Sequence, residues 1–357
     1  RKNISKEIPK IWVQFKNGLI DLNNEGINII EPSPQYFTTN PIPWGIGESE
    51  ETPTIDKLFI EWVGIENREI LYEIIAFCLS NEYFIHRIFC LTGSGSNGKT
   101  TFLRLLKRFI GIKNVTSTEL DILTGNRFES AKLYKKSVCI MGETNFNTLK
   151  QTSLIKRLTG QDLIGFEFKN KMPFDGENYA KILIATNTLP VTLDKTEGFY
   201  RRWTIIDFPN KFQEGKDILE IIPDEEYGNL ALKCIKILKT LRIVGKFTNE
   251  GTIEFREKKY EEKSDPLGKF IQEECIMGIN ESVPYYIFFE KFITFLEKRG
   301  YRKQSRYELA LQLNEKGYER ERRFVKLKTG QESTWWYVIG LSLKEYKETK
   351  FGDTIYD

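Results

Sequence analysis

The chain has 357 residues, of which 40% are hydrophobic and 29% are charged, and its formal net charge is only +3. These values are typical of a soluble protein with two or three domains, and they exclude a uniformly basic surface, so any nucleic-acid site must be a local patch. The sequence has no signal peptide and no apolar stretch of about 18 residues, so we expect no membrane span.

The first 55 residues are predicted to form short extended pieces joined by turns. Residues 11–22, IWVQFKNGLIDL, are typical of two strands joined at Asn17-Gly18, and five prolines between positions 32 and 53 predict irregular chain after them. The spacing of apolar residues over 66–80 predicts an amphipathic helix. We expect residues 1–83 to form a small α+β accessory or oligomerisation region. Because the first residue is Arg1, we also expect a fragment of a longer protein.

Four apolar runs follow, at residues 87–92, 137–141, 181–186 and 203–208. Continuous rather than alternating apolar runs suit parallel strands that are covered on both faces, and helical patterns lie between some of them. We therefore predict an α/β domain with a central parallel sheet over residues 84–263. His86, the only histidine, precedes the first run, and we expect it to pack or to face solvent rather than to act as a catalytic base.

The rest of the chain is predicted to be a helix over 224–242, a charged boundary segment and a separate C-terminal domain. Residues 254–263 carry eight charges in ten positions, which predicts a solvated helix or linker. Residues 264–357 then show two helices, closed by Gly300 and Gly317, and two strands joined at Thr329-Gly330. This is the winged-helix order.

Five scattered cysteines, none in a CxxC pair, indicate a reducing compartment and argue against a zinc site or disulfide frame.

Residues 93–100, GSGSNGKT, match GxxxxGK[ST] between a predicted strand and a predicted helix, which is the context that a phosphate-binding loop requires. The glycines let backbone N–H groups surround a phosphate, and the helix N-terminus adds partial positive charge. Lys99 is expected to reach the β- and γ-phosphates, and Thr100 to bind Mg²⁺. The predicted nucleotide-binding residues are Gly93, Ser94, Gly95, Ser96, Asn97, Gly98, Lys99, Thr100 and Thr101.

Polar residues follow or precede the other predicted strands. Glu143 follows the second run, where a carboxylate can hold Mg²⁺ and polarise water; a surface glutamate is the alternative. Many enzymes with such a loop carry two adjacent acids at this place, whereas this chain has Gly142 before Glu143. Asn187 ends the third run and could orient water at the γ-phosphate. Arg201 and Arg202 precede the fourth. Neighbours in an extended segment point to opposite faces, so at most one of the pair faces inward, and a solvated strand end is the alternative.

The segments SGSNGKTTFLRLL, GETN, IKRLTGQDLIGFEFK, AKILIATNTLP and GFYRRWTIIDFP resemble the superfamily 3 helicases of the phage, plasmid and viral primase-helicase group, and the resemblance covers nearly the whole chain. It implies an AAA+-like P-loop ATPase that forms a ring, usually a homo-hexamer, with ATP and Mg²⁺ between neighbouring subunits. The implied catalytic residues are Lys99, Glu143, Asn187 and Arg202, with Thr100 and Glu143 at the metal. Arg202 would act in trans, with Arg201 as the runner-up.

The resemblance also implies contacts with single-stranded and forked DNA, a possible upstream primase domain, and a place in the cytoplasm of the host of a plasmid, phage or virus. The predicted hairpin around Lys169 and Lys171 would track single-stranded DNA, with Phe174 stacking or bracing; an exposed hairpin with ordinary lysines is the alternative.

The tail has a stronger local charge. Residues 298–328 carry 11 Lys/Arg and 4 Glu, and Arg320, Arg322 and Arg323 are candidate duplex or fork contacts. A ring-packing or partner-binding domain is the alternative, and Trp335 and Trp336 are expected in its core.

The predicted function is an ATP-dependent DNA helicase that translocates on single-stranded DNA as a ring. A second hypothesis, favoured by Gly142, is an ATP-assembled origin-binding or scaffold protein without processive unwinding. A third is a regulatory ATPase switch that acts on protein partners.

Overall fold

The four apolar runs in the middle of the chain become strands of one sheet in the computed structural model. The structure describes residues 6–93, 95–142, 148–149, 151–213, 217–299, 301, 303–326 and 332–346. The chain divides into two compact units, residues 1–260 and 261–357.

In its described residues from 6 onward, the first unit begins with four short strands and two helices, and strands and helices then alternate over residues 88–141. Its strands, within the described residues, are β1 Lys6–Glu7, β2 Trp12–Phe15, β3 Gly18–Asp21, β4 Tyr36–Phe37, β5 Ile88–Thr92, β6 Val115–Ser117, β7 Val138–Met141, β8 Thr148–Leu149, β9 Leu163–Phe166, β10 Phe174–Glu177, β11 Lys181–Thr186, β12 Val191–Thr192 and β13 Trp203–Asp207. Its helices are α1 Pro53–Val63, α2 Arg68–Cys78, α3 Lys99–Ile110, α4 Leu120–Gly125, α5 Thr152–Thr159, α6 Glu197–Tyr200, α7 Asp224–Val244 and α8 Ile253–Ser264.

A five-stranded parallel sheet with the order β13-β5-β11-β7-β6 forms the centre of this unit. The four predicted runs correspond to β5, β7, β11 and β13, so the predicted parallel sheet is confirmed. The short strand β6 escapes prediction because its sequence, Val-Thr-Ser, contains no apolar run. Since β11 lies between β5 and β7, the residues that follow these three strands meet at one edge of the sheet.

Both faces of the sheet are covered, which explains why its strands are continuously apolar. Phe89 and Leu91 of β5 enter a core that contains α1, α2, α3 and α7, whereas Ile88 and Cys90 enter a second core with α5 and β9. Tyr260 of α8 is fully buried in the second core. The charged segment 254–263 is therefore a helix packed on the sheet, not a fully solvated helix or linker.

The N-terminal predictions are confirmed for the hairpin and for one helix, and wrong for Pro53. Strands β2 and β3 pair antiparallel across Asn17-Gly18, and α2 fills most of the predicted 66–80 helix. Pro53, which predicts irregular chain, instead opens α1, because the first helical position has no intrahelical N–H bond to lose. The assignment of residues 1–83 to a separate accessory region stays a prediction.

A buried lysine links the loop after α2 to the start of β11. Lys181 has no exposed surface, and its Nζ donates to the carbonyl oxygens of Glu82 and Tyr179, both at 2.9 Å, and to that of Ser80. Its ammonium also lies 4.8 Å from the ring centroid of Phe77. Burial lowers the pKa of Lys181 to about 7, because a charge in the protein interior loses its hydration.

The second unit has the element order helix, strand, helix, helix, strand, strand among its described residues. These elements are α9 Pro266–Glu274, β14 Cys275–Pro284, α10 Tyr285–Lys298, α11 Arg306–Glu315, β15 Arg320–Lys326 and β16 Glu332–Leu343. The strands form an antiparallel sheet with the order β14-β16-β15. The two predicted helices and the two predicted strands are confirmed, while α9 and β14 precede the predicted order. Gly300 and the turn at residues 329–330 lie outside the described residues.

Helix α11 begins and ends where its sequence predicts. Ser305 and Glu308 form a reciprocal capping box at its start, and Gly317 adopts a φ of +82° just after its end. In the part of the chain that the structure describes, none of the helices is sufficiently long and apolar to span a bilayer.

Candidate active site

The segment GSGSNGKT joins β5 to α3, as the sequence predicts, and its backbone makes repeated left-handed turns. Gly95, Ser96 and Gly98 have φ values of +98°, +47° and +90°. Ser94 lies outside the described residues. Glycine adopts such angles without a steric cost, so two of these three positions carry the residue that the loop conformation needs.

Gly98 also needs to be glycine because of its neighbour. A Cβ atom at Gly98 would lie 2.5 Å from Cδ1 of Trp62, which is far inside van der Waals contact. Trp62 is 2% exposed and belongs to α1. Helix α1 thus packs against the loop through Trp62, a contact that no local sequence pattern indicates.

Asn97 ties the loop to the end of β13. Its Nδ2 donates to the backbone oxygen of Phe208 at 3.1 Å, and its side chain is almost fully buried. The backbone N–H of Phe212 donates to the oxygen of Ser96 at 2.7 Å. Asn97 is therefore a bracing residue of the loop, since its side chain is occupied within the protein.

Lys99 lies at the start of α3 and points back across the loop. Its Nζ donates to the Gly93 oxygen at 2.5 Å and to Oδ1 of Asn187 at 3.0 Å. Asn187 follows β11, so the strand order brings these two predicted residues into contact although 88 positions separate them. The two side chains form a polar pair at the edge of the sheet.

A cavity of about 810 Å³ opens beside this pair. Its lining includes the loop residues from Gly95 to Thr101, the side of α3 that carries Arg104 and Lys107, and the apolar side chains Phe212 and Ile218. Loop N–H groups, an ammonium and an apolar wall suit the phosphates and the base of a nucleotide. The residues present therefore fit a nucleoside triphosphate.

The predicted metal ligands are only half described. Thr100 is exposed and lines the cavity. Strand β7 ends at Met141, and Gly142 also lines the cavity. Glu143 itself lies outside the described residues, so its roles at the metal and the water stay predictions.

The arginine pair has two different environments, but not for the predicted reason. Arg201 has helical dihedral angles after α6, so the pair lies in a turn rather than in an alternating strand. Arg201 is exposed, whereas Arg202 is only 6% exposed.

The buried guanidinium of Arg202 is held by three acceptors. Its Nε donates to Oγ1 of Thr159 at 2.9 Å, its Nη2 to the oxygen of Lys156 at 3.2 Å, and its Nη1 to the oxygen of Gly198. Burial, with the nearby charge of Arg201, lowers the pKa of Arg202. The role of Arg202 in trans stays a prediction, and the geometry of the chain favours Arg201 for it.

The segment between Asn187 and the arginine pair is fastened to α5 by a polar cluster around Asp194. Asp194 accepts from Lys156 and Thr152 at 2.6 and 2.5 Å and from Thr196 at 2.6 Å. These hydrogen bonds hold the pKa of Asp194 well below its usual range, although burial opposes the shift. Lys156 is thus an ion-pair partner of Asp194, and the cluster positions the turn that presents Arg201.

The predicted hairpin is confirmed as β9 and β10, which pair antiparallel around an exposed loop. Lys169 and Lys171 are exposed in this loop, and Asn170 between them has a φ of +63°. Phe174 is 38% exposed and stacks on Phe168 with a centroid distance of 6.2 Å. Phe174 also contacts Tyr134 edge-on at 4.9 Å, so one side of its ring is packed, and its role toward DNA stays a prediction.

The three predicted arginines of the tail all lie on β15, on two different faces. Arg320 and Arg322 approach the ring of Trp336. Arg323 points to the other face, where its Nη1 donates to Oγ of Ser282 at 2.9 Å. The expectation that both tryptophans are core residues is wrong for Trp336, which is 42% exposed.

A second cavity of about 310 Å³ lies along β13 and α8. Two ion pairs line it, Arg256 with Glu250 at 3.3 Å and Lys259 with Asp207 at 3.0 Å. The Lys259–Asp207 pair attaches α8 to β13.

Comparison with known proteins shows similarity to a protein family and to a viral protein. Residues 91–202 match a family described as "Family of unknown function (DUF5906)". The chain is 27% identical over 222 residues to "Putative helicase L207/L206" of Acanthamoeba polyphaga mimivirus, a match that covers 54% of this chain and 23% of that protein. The chain thus spans about a quarter of the length of this relative.

The solved structures that are similar include two apo structures of the C-terminal region of NrS-1. The A form is 13% identical, with a TM-score of 0.45, and covers 94% of this chain and 84% of that chain. The other apo structure is 15% identical, with a TM-score of 0.48, and covers 95% and 85%. At this identity and TM-score, the likeness assigns neither a family nor an activity to the chain.

Proposed function

We propose that the chain is the motor part of an ATP-driven DNA helicase that acts in the replication of a viral or plasmid genome. The contact of Lys99 with Asn187 beside the phosphate-binding loop carries this proposal, because it places a cation and a polar sensor at the entrance of a nucleotide-sized cavity. The name of the mimivirus relative supports a helicase role. Superfamily 3 membership, an AAA+-like fold and a winged-helix second unit belong to the same proposal.

The loop residues from Gly93 to Thr101 would hold the phosphates through backbone N–H groups. Mg²⁺–ATP, when bound, supplies the phosphoryl group that is transferred and the divalent charge that offsets its negative charge. Lys99 would exchange its contact with the Gly93 oxygen for a phosphate oxygen. Thr100 and Glu143 would bind the metal, and Glu143 would also accept a proton from water. Asn187, already beside Lys99, would position that water.

The second half of the site would come from a neighbouring subunit. Arg201 is the exposed member of the pair, and it follows a turn that Asp194 and α5 hold in place. A ring, for which six subunits are expected, would bring Arg201 to the phosphates of the next chain, where a guanidinium stabilises developing charge. Arg202 would maintain the shape of this turn from within.

The DNA contacts would lie on the β9–β10 hairpin and on β15. Lys169 and Lys171 are exposed side by side at the hairpin loop and can neutralise phosphates as the hairpin moves with each nucleotide cycle. Arg320 and Arg322 would give the second unit its own contact with a fork, whereas Arg323, the third arginine considered from the sequence, is held on the other face of β15 by Ser282.

The alternative is an origin-binding or scaffold protein that uses ATP only to assemble. Gly142 in the position of a first acid favours it, because a single carboxylate would have to serve both metal and water. A rate of ATP hydrolysis that rises with added single-stranded DNA would exclude this alternative.

The test is ATP hydrolysis and fork unwinding by the wild-type chain and by Lys99→Ala. We expect Lys99→Ala to reduce hydrolysis by at least 100-fold, roughly the loss that follows removal of a charge-stabilising group, while the protein remains folded. Lys57→Ala, which removes an exposed lysine of α1 that does not line the cavity, is the matched control and should hydrolyse ATP within about 3-fold of wild type. Turnover retained by Lys99→Ala would refute the assigned role of the loop.

A further inference from the structure

The outer face of the β15–β16 hairpin combines aromatic and guanidinium groups in a way that the function above does not require. The strand register places Arg322 opposite Trp336 and Phe324 opposite Thr334. Because side chains alternate along a strand, these four residues share one face. We call Arg322, Phe324, Thr334 and Trp336 the outer face.

The outer face is open to solvent, whereas the opposite face is packed. Phe324 is 86% exposed and Trp336 is 42% exposed. On the opposite face, Tyr337 is buried and Trp335 contacts Tyr286 edge-on at 5.2 Å. A hairpin that packs one face and leaves large aromatic rings on the other is presenting those rings for contact.

Two arginines of β15 lie beside the Trp336 ring of the outer face. The guanidinium carbon of Arg322 lies 4.7 Å from the Trp336 ring centroid, and that of Arg320 lies 5.5 Å from the same centroid. This cation–π packing holds both guanidinium groups near the strand, and Arg322 is exposed whereas Arg320 is half-buried. Along β15, Arg322 and Phe324 are two residues apart, about 6.8 Å in an extended strand.

We propose that the outer face is a stacking platform for single-stranded DNA, in which Phe324 stacks on an unpaired base while Arg322 and Arg320 bind the flanking phosphates. The positive charge favours a polyanion over an apolar protein partner, and stacking on exposed rings tolerates any base sequence. Duplex DNA offers no free base face along its length, so the platform should prefer single strands. This inference rests on the proposed function, since it names the form of DNA that the second unit contacts.

The experiment measures binding of the full chain to labelled poly(dT) and to a blunt duplex of equal length. Phe324→Ala should weaken poly(dT) binding about 5- to 100-fold, the usual cost of losing one stacked base, and should affect duplex binding much less. Phe324→Trp should restore poly(dT) binding. Ile279→Ala removes another side chain of the second unit that is 93% exposed, and this control should bind as wild type does.

Arginine variants test the two faces of the hairpin separately. Arg322→Gln should weaken binding and lower the salt slope for single strands by about 0.7 for the lost phosphate contact, whereas Arg323→Gln on the packed face should leave the slope unchanged. Unchanged poly(dT) affinity in Phe324→Ala would overturn the platform and point to a protein contact. ATP turnover by the wild-type chain tests the proposed function independently, because Phe324 lies outside the nucleotide cavity and should not alter DNA-free hydrolysis.

Discussion

Replacing the two neighbouring arginines one at a time should produce opposite failures. Arg202→Ala removes the guanidinium that Thr159, Gly198 and Lys156 share. Each buried acceptor left without a donor costs roughly 1–3 kcal/mol. Because some of these groups can be rehydrated near the surface, we expect the lower part of the sum, about 3–5 kcal/mol.

A loss of this size is large for a folded domain. It should lower the melting temperature by about 6–20 °C, given a shift of about 2–4 °C per kcal/mol for a unit of this length. Arg201→Ala removes an exposed side chain, so its stability should stay within about 0.5 kcal/mol of wild type. Calorimetric unfolding of the two variants under the same conditions gives both values.

In ATPase activity, Arg201→Ala should show the direct loss, whereas Arg202→Ala acts mainly on stability. Arg201→Ala should be folded but nearly inactive as an ATPase, and mixing it with Lys99→Ala subunits should restore part of the activity. In a mixed ring, an intact phosphate-binding loop of one subunit can face an intact Arg201 of the next. A stable Arg202→Ala protein that is inactive alone and rescued by mixing, beside an active Arg201→Ala protein, would refute the reasoning and return the role to Arg202.

Two further predictions concern the hairpin and the buried lysine. Lys169→Ala combined with Lys171→Ala should keep DNA-free ATP hydrolysis and lose fork unwinding, because the hairpin loses its phosphate contacts. Lys57→Ala, at an exposed site on α1, is the control. Normal unwinding by the double variant would remove the hairpin from the proposal. Lys181 holds a proton less readily when folded, with a pKa of about 7 against an ordinary 10.5, so the unfolded chain binds more protons between these values and the free energy of unfolding should rise with pH across that window. Lys181→Met should lack this rise. Urea unfolding of both proteins at about pH 7 and pH 9 measures it, and a wild-type free energy of unfolding that rises no more than that of Lys181→Met would contradict the assignment.

The predictions that were confirmed depend on short stretches of chain. The loop at residues 93–100 lies between β5 and α3, as predicted. Its glycines and the amphipathic pattern of the following helix can be recognised from the local sequence. Four continuous apolar runs sufficed to predict buried parallel strands, and two extended halves around a turn at Lys169 predicted a hairpin. In each case neighbouring residues alone determine which backbone conformation buries the apolar side chains.

The tertiary structure decided what depends on distant residues. Only the insertion of β11 between β5 and β7 brings Asn187 to Lys99, and only the packing of α1 makes Trp62 the reason for Gly98. The turn after α6 and the acceptors on α5 bury Arg202 and expose Arg201, where strand alternation offered two equal choices. Likewise, Trp335 and Trp336 are equivalent in sequence, and the register of β15 with β16 sends one toward Tyr286 and the other to solvent. Composition and spacing therefore determined the elements and the loop, whereas the environment of each functional side chain follows from contacts between segments that are far apart in the chain.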